Sequence, residues 1–148
     1  MYLIFDTETT GLPTKGYNQP ISDVENWPRV VQLAWQLHDD DGTLIEHKDF
    51  LIQPEGFDIP YGSEKIHGIS TELASQNGIT LSEGLELFNE VASKATFLVG
   101  HNVKFDVNVL GCEFFRSDLS MATAAAALRR SSRSGRRTSP RCSARGIP

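Results

Sequence analysis

Short apolar runs separated by polar, turn-forming stretches fill the first third of the chain. An apolar run over residues 2–5 predicts a buried strand that ends at Asp6, and a polar, turn-rich stretch follows it. Residues 30–37 and 43–52 are rich in β-branched and apolar residues and flank an Asp-Gly turn. We expect these two segments to pair as an antiparallel hairpin.

In the middle of the chain, the apolar residues recur at helical spacing. Residues 63–77 predict two short helical pieces, interrupted at Gly68 and opened again by Ser70. Thr80 is the predicted N-cap of a longer helix, with Glu83 three residues later as its capping-box partner. The apolar positions of that helix are Leu81, Leu85, Phe88, Val91 and Ala92.

A second strand-to-helix step follows. Residues 96–99 predict a short buried strand, and residues 103–115 predict a helix. The inner side of this helix is formed by Phe105, Val109, Leu110 and Phe114. The whole order predicts an α/β fold, a mixed β-sheet with a leading antiparallel hairpin and flanking helices.

Composition narrows the class of protein. The 148 residues are 39% hydrophobic and 22% charged, as in an ordinary soluble domain. No apolar run approaches the roughly 18–20 residues that span a bilayer, and no signal-peptide pattern begins the chain. Cys112 and Cys142 form neither a CxxC metal pattern nor a disulfide framework. We therefore expect a reduced, cytoplasmic protein without membrane association.

Charge divides the chain into two parts. Residues 1–128 contain five Lys, two Arg and all 19 acids, for a net charge of −12, whereas residues 129–148 contain seven Arg and no acid. We predict a folded domain over residues 1–118 and a tail rich in Arg, Ala and Ser over residues 119–148. The tail is a basic arm for a phosphate backbone, a disordered segment, or residues translated out of frame. Its switch from Lys to Arg among residues with GC-rich codons favours the third interpretation.

The strongest chemical signal is Asp6-Thr7-Glu8. Because side chains alternate along a strand, Asp6 and Glu8 point to the same side. Two neighbouring carboxylates repel each other unless a cation lies between them, and hard oxygen ligands suit Mg²⁺ or Mn²⁺. Two such ions about 3.5–4 Å apart can activate a water and stabilise the departing oxygen of a phosphodiester. Taken alone, an Asp-x-Glu at a strand end favours a solvated edge over a metal site.

Two further segments strengthen the metal interpretation. Thr9-Thr10-Gly11-Leu12 follows the acids directly, and its backbone N–H groups and a hydroxyl are suited to a terminal nucleotide, with Leu12 against the base. Gly100-His101-Asn102-Val103-Lys104-Phe105-Asp106 stands where a strand gives way to a helix, a usual place for functional groups. Asp106 lies one turn into that helix and is expected to face the crevice of the first two acids.

These segments resemble motifs of a known superfamily. Phe5-Asp6-Thr7-Glu8-Thr9-Thr10-Gly11-Leu12 and Gly100-His101-Asn102-Val103-Lys104-Phe105-Asp106 are similar to the first and second motifs of the DEDD, or DnaQ-like, 3′–5′ exonucleases. The similarity is greatest to the DEDDh branch, which contains the epsilon proofreading subunit of bacterial DNA polymerase III and ribonuclease T. It extends to about residue 117 and includes Ile66-His67-Gly68-Ile69. It implies an RNase H-like fold with a five-stranded mixed sheet and an enzyme that uses two divalent cations, Mg²⁺ or Mn²⁺.

The resemblance also implies residue roles and partners. Asp6 and Glu8 would ligate the catalytic metal, Asp6 would also touch the second one, and Asp106 would act on the second metal largely through water. Residues implied at the terminal nucleotide are Thr9, Gly11, Leu12, Asn102 and Phe105, to which we add His101, a candidate for positioning the strand end. The implied partners are a single-stranded DNA 3′ end, with RNA as an alternative, and a DNA polymerase subunit.

One motif of the family is missing from the sequence. The family requires a His followed five residues later by an Asp, where the His deprotonates the attacking water and the Asp completes the metal site. After Asp106 the sequence contains no His, and Asp118 is its last acid. Gln32, His38, His47 and His67 are expected to be packing or surface residues rather than replacements for the base. The chain is therefore predicted to be inactive or nearly so.

Three functions remain open from the sequence. The first is a 3′–5′ exonuclease for proofreading or repair, and the second is a catalytically dead module that holds nucleic-acid 3′ ends or a polymerase. The third is a metal-binding scaffold that is not a nuclease. Under the enzyme interpretation, the other reading frame after residue 118 should encode a His-x₄-Asp pattern.

Overall fold

Four strands and four helices form the described part of the chain. A computed structural model describes residues 1–121. The strands are β1 (Tyr2–Thr9), β2 (Val30–His38), β3 (Leu44–Leu51) and β4 (Phe97–Val99). The helices are α1 (Tyr61–His67), α2 (Thr71–Asn77), α3 (Leu81–Lys94) and α4 (Val103–Arg116). The predicted α/β class and the predicted order of elements are confirmed.

The strands form one mixed sheet in the order β3-β2-β1-β4. β2 pairs antiparallel with β3 and with β1, whereas β4 pairs parallel with β1. The predicted hairpin is therefore present, and its turn is held by the Asp39 carboxylate, which accepts from the backbone N–H groups of Asp41 and Thr43. Gly42 has a φ of 84°, which a residue without a side chain adopts most easily. The resemblance implied five strands, and residues 1–121 contain four.

β1 is longer than the sequence pattern predicted. The prediction ended the strand at Asp6, but pairing with β2 continues to Thr9, with an irregularity between Glu8 and Thr9. Backbone hydrogen bonds to β2 extend the strand although its side chains become polar. The acids consequently lie within the sheet rather than beyond its end.

The core lies on one face of this sheet, which we call the inner face. Leu3 and Phe5 of β1 are buried there against α3 and α4, and the rings of Phe5 and Phe88 lie 5.1 Å apart. All the predicted apolar positions of α3 are buried, namely Leu81, Leu85, Phe88, Val91 and Ala92. On α4, Val109, Leu110 and Phe114 are buried as predicted, and Phe105 is half-buried. One face of the sheet thus supplies most of the apolar burial that stabilises the domain.

The opposite, outer face exposes apolar side chains. Tyr2, Ile4, Phe97 and Val99 are between 38% and 50% exposed, and the rings of Tyr2 and Phe97 stack at 5.2 Å. We call these four residues the outer patch. The prediction that β4 is a buried strand was wrong, because β4 lies at the edge of the sheet and two of its three side chains point to this face.

The helix ends follow local capping rules. Gly68 ends α1 in the left-handed region, with φ 78°. The Ser70 side chain accepts from the N–H of Leu73 at the start of α2. Thr80 Oγ1 accepts from Glu83 N–H at 3.3 Å, which confirms the predicted N-cap of α3. The predicted break between the two short helices is therefore confirmed.

A buried carboxylate fixes α4 to the rest of the fold. Glu113 is fully buried and accepts from Arg29 Nε at 2.9 Å and from the backbone N–H of Val30 at 3.0 Å. Arg116 lies 3.3 Å from the same carboxylate, and its guanidinium also donates to the carbonyls of Val24 and Trp27. This network joins α4, the start of β2 and the segment before β2.

Several predictions from the sequence concern membrane association or residues beyond position 121. Among residues 1–121, no helix combines the length and the apolar character needed to cross a bilayer. Residues 122–148, which include Cys142 and most of the predicted tail, lie outside the described residues. Cys112 is buried within α4, and burial raises the pKa of its thiol, as expected for an unreactive structural cysteine.

The Glu113 network generates a stability prediction. Glu113→Gln removes the negative charge that pairs with two partly buried guanidinium groups, so we expect the free energy of unfolding to fall by about 3 kcal/mol, the lower end of the range for a broken buried pair. Glu90→Gln breaks the exposed Glu90–Lys94 pair on α3 and should leave that free energy unchanged. Urea titrations of both variants measure the difference. Equal effects would contradict a specific role for the buried network.

Candidate active site

Asp6 and Glu8 lie on the outer face of the sheet. Along β1 the inner-face residues are buried, while Asp6 is exposed and Glu8 is half-buried. The predicted alternation is confirmed, and both carboxylates point away from the core. Asp6 stands opposite Ala34 and Glu8 opposite Gln32 on β2. The small Ala34 side chain leaves space beside the first carboxylate.

That space is a shallow cavity of about 350 Å³. Its polar lining residues are Asp6, Gln36, His47 and His101. His101 comes from the segment between β4 and α4, so the two sequence motifs meet at this cavity. His47, expected to be a surface residue, is exposed and reaches the same cavity from β3.

The expectation that Asp106 faces the crevice of Asp6 and Glu8 is not met: Asp106 contacts β1 from the inner, helix-covered face through Thr7, and it does not line the cavity beside Asp6. It lies in the first turn of α4, is 2% exposed, and its Oδ1 accepts from Thr7 Oγ1 at 2.7 Å and from Thr7 N–H at 3.2 Å. Burial raises the pKa of Asp106, the Thr7 hydroxyl opposes this rise, and the negative charge of Asp6 adds to it. Asp6 and Asp106 are therefore electrostatic neighbours.

The three acids do not form a finished metal cage. Within residues 1–121, no three His, Cys, Asp or Glu side chains are grouped so that they could hold an ion together. Mg²⁺ in proteins often takes only one or two carboxylates and completes its shell with water and substrate phosphate. The outward-facing Asp6 and Glu8 fit that pattern, because both are solvent-accessible oxygen ligands on one face of β1 and Asp6 lines an open cavity.

The loop after β1 is anchored at Thr10. Thr10 N–H donates to the carbonyl of Arg29, and Arg29 N–H donates to Thr10 Oγ1, both at 3.0 Å. Ser63 Oγ on α1 donates to the carbonyl of Thr10 at 2.8 Å. Gly11 has a φ of 149°, and Leu12 is 70% exposed. The loop therefore presents an apolar side chain to solvent on a rigid support.

Two predicted nucleotide ligands of this loop have contacts within the fold. The Thr9 hydroxyl donates to the carbonyl of Gly11 at 2.7 Å, and the Thr9 side chain is buried. This bond shapes the loop locally. Contact of Thr9 and Gly11 with a nucleotide stays a prediction.

The segment between β4 and α4 passes very close to β1. A Cβ on Gly100 would lie 2.9 Å from the carbonyl oxygen of Phe5. Asn102 then adopts a left-handed conformation, with φ 56°, and starts α4 without a side-chain cap. His101 and Asn102 are both exposed, so their side chains are accessible to a ligand.

The remaining histidines are engaged in local structure. His38 contacts the carbonyl of Gly42 and the side chain of Gln36 at the hairpin turn. His67 Nδ1 accepts from Ile69 N–H at 3.1 Å, and its buried Nε2 has no hydrogen-bond partner among residues 1–121. The Gln32 amide donates to Asp49. These contacts agree with packing or surface roles for the three side chains.

Comparison with known proteins decides the family. A family model described as an exonuclease (RNase_T) matches residues 3–128. The chain belongs to this exonuclease family. Membership also confirms the DEDD, DnaQ-like resemblance on which the motif assignments rest. The family match extends ten residues past the predicted domain end at residue 118.

Two relatives of this exonuclease-family chain are replication proteins. It is 30% identical over 127 residues to the PolC-type DNA polymerase III of Latilactobacillus sakei, covering 81% of this chain and 7% of the relative. It is also 30% identical over 112 residues to the DNA polymerase III epsilon subunit of Rickettsia prowazekii, covering 75% of this chain and 43% of the relative. The chain thus spans less than half the length of either relative.

Solved structures confirm the fold. E. coli exonuclease I in complex with a dT13 oligonucleotide superposes with a TM-score of 0.66 at 22% identity, covering 82% of this chain and 25% of that one. A dA16 complex of the same enzyme gives a TM-score of 0.66 at 23% identity, covering 80% and 24%. The predicted RNase H-like fold is therefore confirmed.

Sequence reasoning missed Thr7 as a member of the site. Thr7 lies between the two motif acids, and alternation along the strand already placed it on the opposite side from them. A buried hydroxyl on the helix-covered face requires a partner, which Asp106 provides. The sequence pattern does not specify the rotation of α4 about its axis, so it did not predict the contact between Asp106 and Thr7.

The close approach at Gly100 generates a prediction. Gly100→Ala forces the new methyl group against the carbonyl of Phe5, so we expect a loss of about 1–3 kcal/mol in the free energy of unfolding. Gly62→Ala on α1 is the matched control, because its Cβ meets nothing within 4 Å and alanine favours a helix. Thermal unfolding of both variants measures this. A Gly100→Ala variant as stable as the control would contradict the close approach.

Proposed function

We propose that this chain derives from a metal-dependent 3′–5′ exonuclease that hydrolyses phosphodiesters at the 3′ ends of single-stranded DNA, in proofreading or repair. One observation carries the proposal. Asp6 and Glu8 point to the same open face of β1, and Asp6 lines a cavity there together with His101 of the second motif. Solvent-accessible carboxylates on one face, one of them in an open cavity, are suited to divalent cations and a phosphate.

The comparisons support a nucleic-acid substrate. Exonuclease I of E. coli, which shares the fold, was solved in complex with dT13 and dA16 oligonucleotides, and two relatives are DNA polymerase III proteins. The chain covers only part of each of these proteins. Single-stranded DNA, RNA as an alternative, and a polymerase partner are therefore proposals for this chain.

Each acid has a role in the proposed reaction. Asp6 and Glu8 would hold the divalent cations, and Asp106, fixed by Thr7, would orient a water. When bound, Mg²⁺ or Mn²⁺ supplies the positive charge that neutralises the phosphate and acidifies water. The Leu12 side chain would lie against the terminal base, and the exposed His101 and Asn102 would contact its nucleotide.

The chain lacks the His-x₄-Asp motif of the family, whose His would accept the proton of the attacking water. No His follows Asp106 in the sequence, and His38 and His67 are held in local contacts. The same lack favours a second candidate function, a module that binds 3′ ends or a polymerase without cutting. The two functions differ in whether a restored His-x₄-Asp segment restores cleavage.

The first prediction from this proposal concerns the chain itself. Incubated with Mn²⁺ and a 3′-labelled oligonucleotide, the purified chain should degrade it about 100-fold or more slowly than a version supplied with a His-x₄-Asp segment, because a general base contributes about 10²–10⁴-fold. Label release against time measures the rates. Equal rates would overturn the predicted inactivity.

The second prediction concerns Asp6. In the version with the restored segment, Asp6→Asn should abolish Mn²⁺-dependent cleavage and weaken Mn²⁺ binding measured by calorimetry. Folding should be retained, because Asp6 is exposed and its carboxylate accepts no hydrogen bond from another side chain of residues 1–121. Asp41→Asn, an equally exposed acid in the hairpin turn, is the control and should behave as the parent. Cleavage that survives Asp6→Asn would contradict the nuclease assignment.

A further inference from the structure

A buried hydroxyl in the first turn of α1 bonds to a distant part of the chain. Ser63 is 9% exposed, and its Oγ donates to the carbonyl of Thr10 at 2.8 Å, across 53 positions of the sequence. Ser75 on α2, by contrast, donates to the carbonyl of Thr71 within its own helix. Local bonds of this second kind are usual for a serine in a helix. The contact of Ser63 therefore serves a part of the fold outside α1.

The hydroxyl of Ser63 is not required to form α1. The helix starts at Tyr61, its N-cap Pro60 provides no side-chain cap, and the backbone N–H groups of Ser63 and Glu64 donate to the carbonyl of Pro60. Alanine has a higher helix propensity than serine. Alanine would therefore form this helix at least as well, and helix formation does not account for the hydroxyl.

The acceptor of this bond, Thr10, is held from two sides. Its backbone N–H and its Oγ1 bond to the backbone of Arg29 on one side, both at 3.0 Å. Its carbonyl accepts from Ser63 on the other side. Arg29 is itself fixed by Glu113 and by the ring of Phe57, whose centroid lies 4.4 Å from the guanidinium carbon. The bond of Ser63 thus links this anchored residue to α1.

The residues that follow Thr10 depend on this support. Gly11 has a φ of 149°, and Leu12 is 70% exposed, so that packing contributes little to the position of its side chain. In the proposed function, Thr9, Gly11 and Leu12 contact the terminal nucleotide. A loop that is held in place before the ligand arrives loses less conformational entropy on binding than a loop that becomes ordered at that moment.

We propose that Ser63 is a positioning residue, whose hydrogen bond to the Thr10 carbonyl holds the loop of residues 9–12 in the conformation that receives the terminal nucleotide. Ser63 acts through Thr10 and does not itself contact the nucleotide. The inference rests on the proposed function. It adds α1 to the elements that determine how tightly a 3′-terminal nucleotide binds.

Two variants at Ser63 and one control separate positioning from folding. Ser63→Ala removes the hydroxyl, and Ser63→Thr retains a hydroxyl that can donate to Thr10. Ser75→Ala is the matched control, because it removes a serine hydroxyl that donates to a carbonyl 2.7 Å away within α2. Circular dichroism of the full chain should show the same secondary structure for the parent and all three variants.

The probes are thymidine 5′-monophosphate in the presence of Mn²⁺, and Mn²⁺ alone, each titrated into the full chain by calorimetry. We expect Ser63→Ala to weaken binding of the monophosphate roughly 2- to 10-fold, the range for one neutral hydrogen bond. Mn²⁺ alone should bind as it does to the parent, because Asp6 and Glu8 lie on β1 before the loop. Ser63→Thr and Ser75→Ala should bind the monophosphate as the parent does.

Each outcome decides between the two proposals. Monophosphate binding that is unchanged in Ser63→Ala overturns the positioning role and leaves the proposed function standing. A loss that Mn²⁺ alone shares also overturns it, because a general disturbance of β1 would then explain both. An equal loss in Ser63→Thr overturns it too, because the hydroxyl would not be the cause. If the parent chain binds no monophosphate, the proposed function fails and the positioning role fails with it.

Discussion

The buried carboxylate of Glu113 is the interaction on which the geometry of the site depends. It gathers Arg29, the backbone of Val30 and Arg116 around one charge, and so joins α4 to the beginning of β2. Asp106 lies seven residues earlier on the same helix, about two turns away and therefore on nearly the same side. The network consequently fixes the rotation of α4 about its axis and its position along that axis, so that Asp106 contacts Thr7. A charged core contact of this kind adds little net stability compared with apolar packing, but it specifies one arrangement of helix and strand.

The elements that the sequence predicted well are those with a strong local signal. The spacing of Leu85, Phe88 and Val91 predicts α3 because a helix of this length shows its buried side directly in the periodicity. Gly68 and Thr80 predict helix ends because their conformational and capping preferences are local. β1 was predicted too short because its polar second half is held by pairing with β2, which no local pattern reveals. β4 was predicted to be buried from its apolar composition, whereas its place at the sheet edge depends on topology.

The features of the candidate site also differ in how well the sequence predicted them. That Asp6 and Glu8 share a face follows from strand geometry alone, and the structure confirms it. The contact between Asp106 and Thr7 joins residues 99 positions apart and depends on the rotation of α4, so the motif indicated proximity but not the partner. The contact between Ser63 and Thr10 had no signal, because a serine in a helical segment usually bonds within its own helix. It becomes visible only when α1 is placed against the loop after β1.

The outer face of β1 joins an exposed apolar surface to the candidate site. Tyr2, Ile4, Asp6 and Glu8 follow one another along this face, so that an apolar half passes directly into an acidic half. The apolar half continues onto Phe97 and Val99 of the neighbouring strand, and α3 and α4 already occupy the other side of the sheet. A segment that covers the outer patch would come to lie beside Asp6 and would exclude water from the carboxylates, which strengthens every charge interaction there. The proposed chemistry needs a proton acceptor beside Asp6. The exposed apolar side chains of the outer patch need a segment that buries them, and both requirements therefore apply to the same place. A single amphipathic helix with apolar residues toward Ile4 and a His toward Asp6 would satisfy both requirements, whereas an unrelated partner on the patch would satisfy only the second.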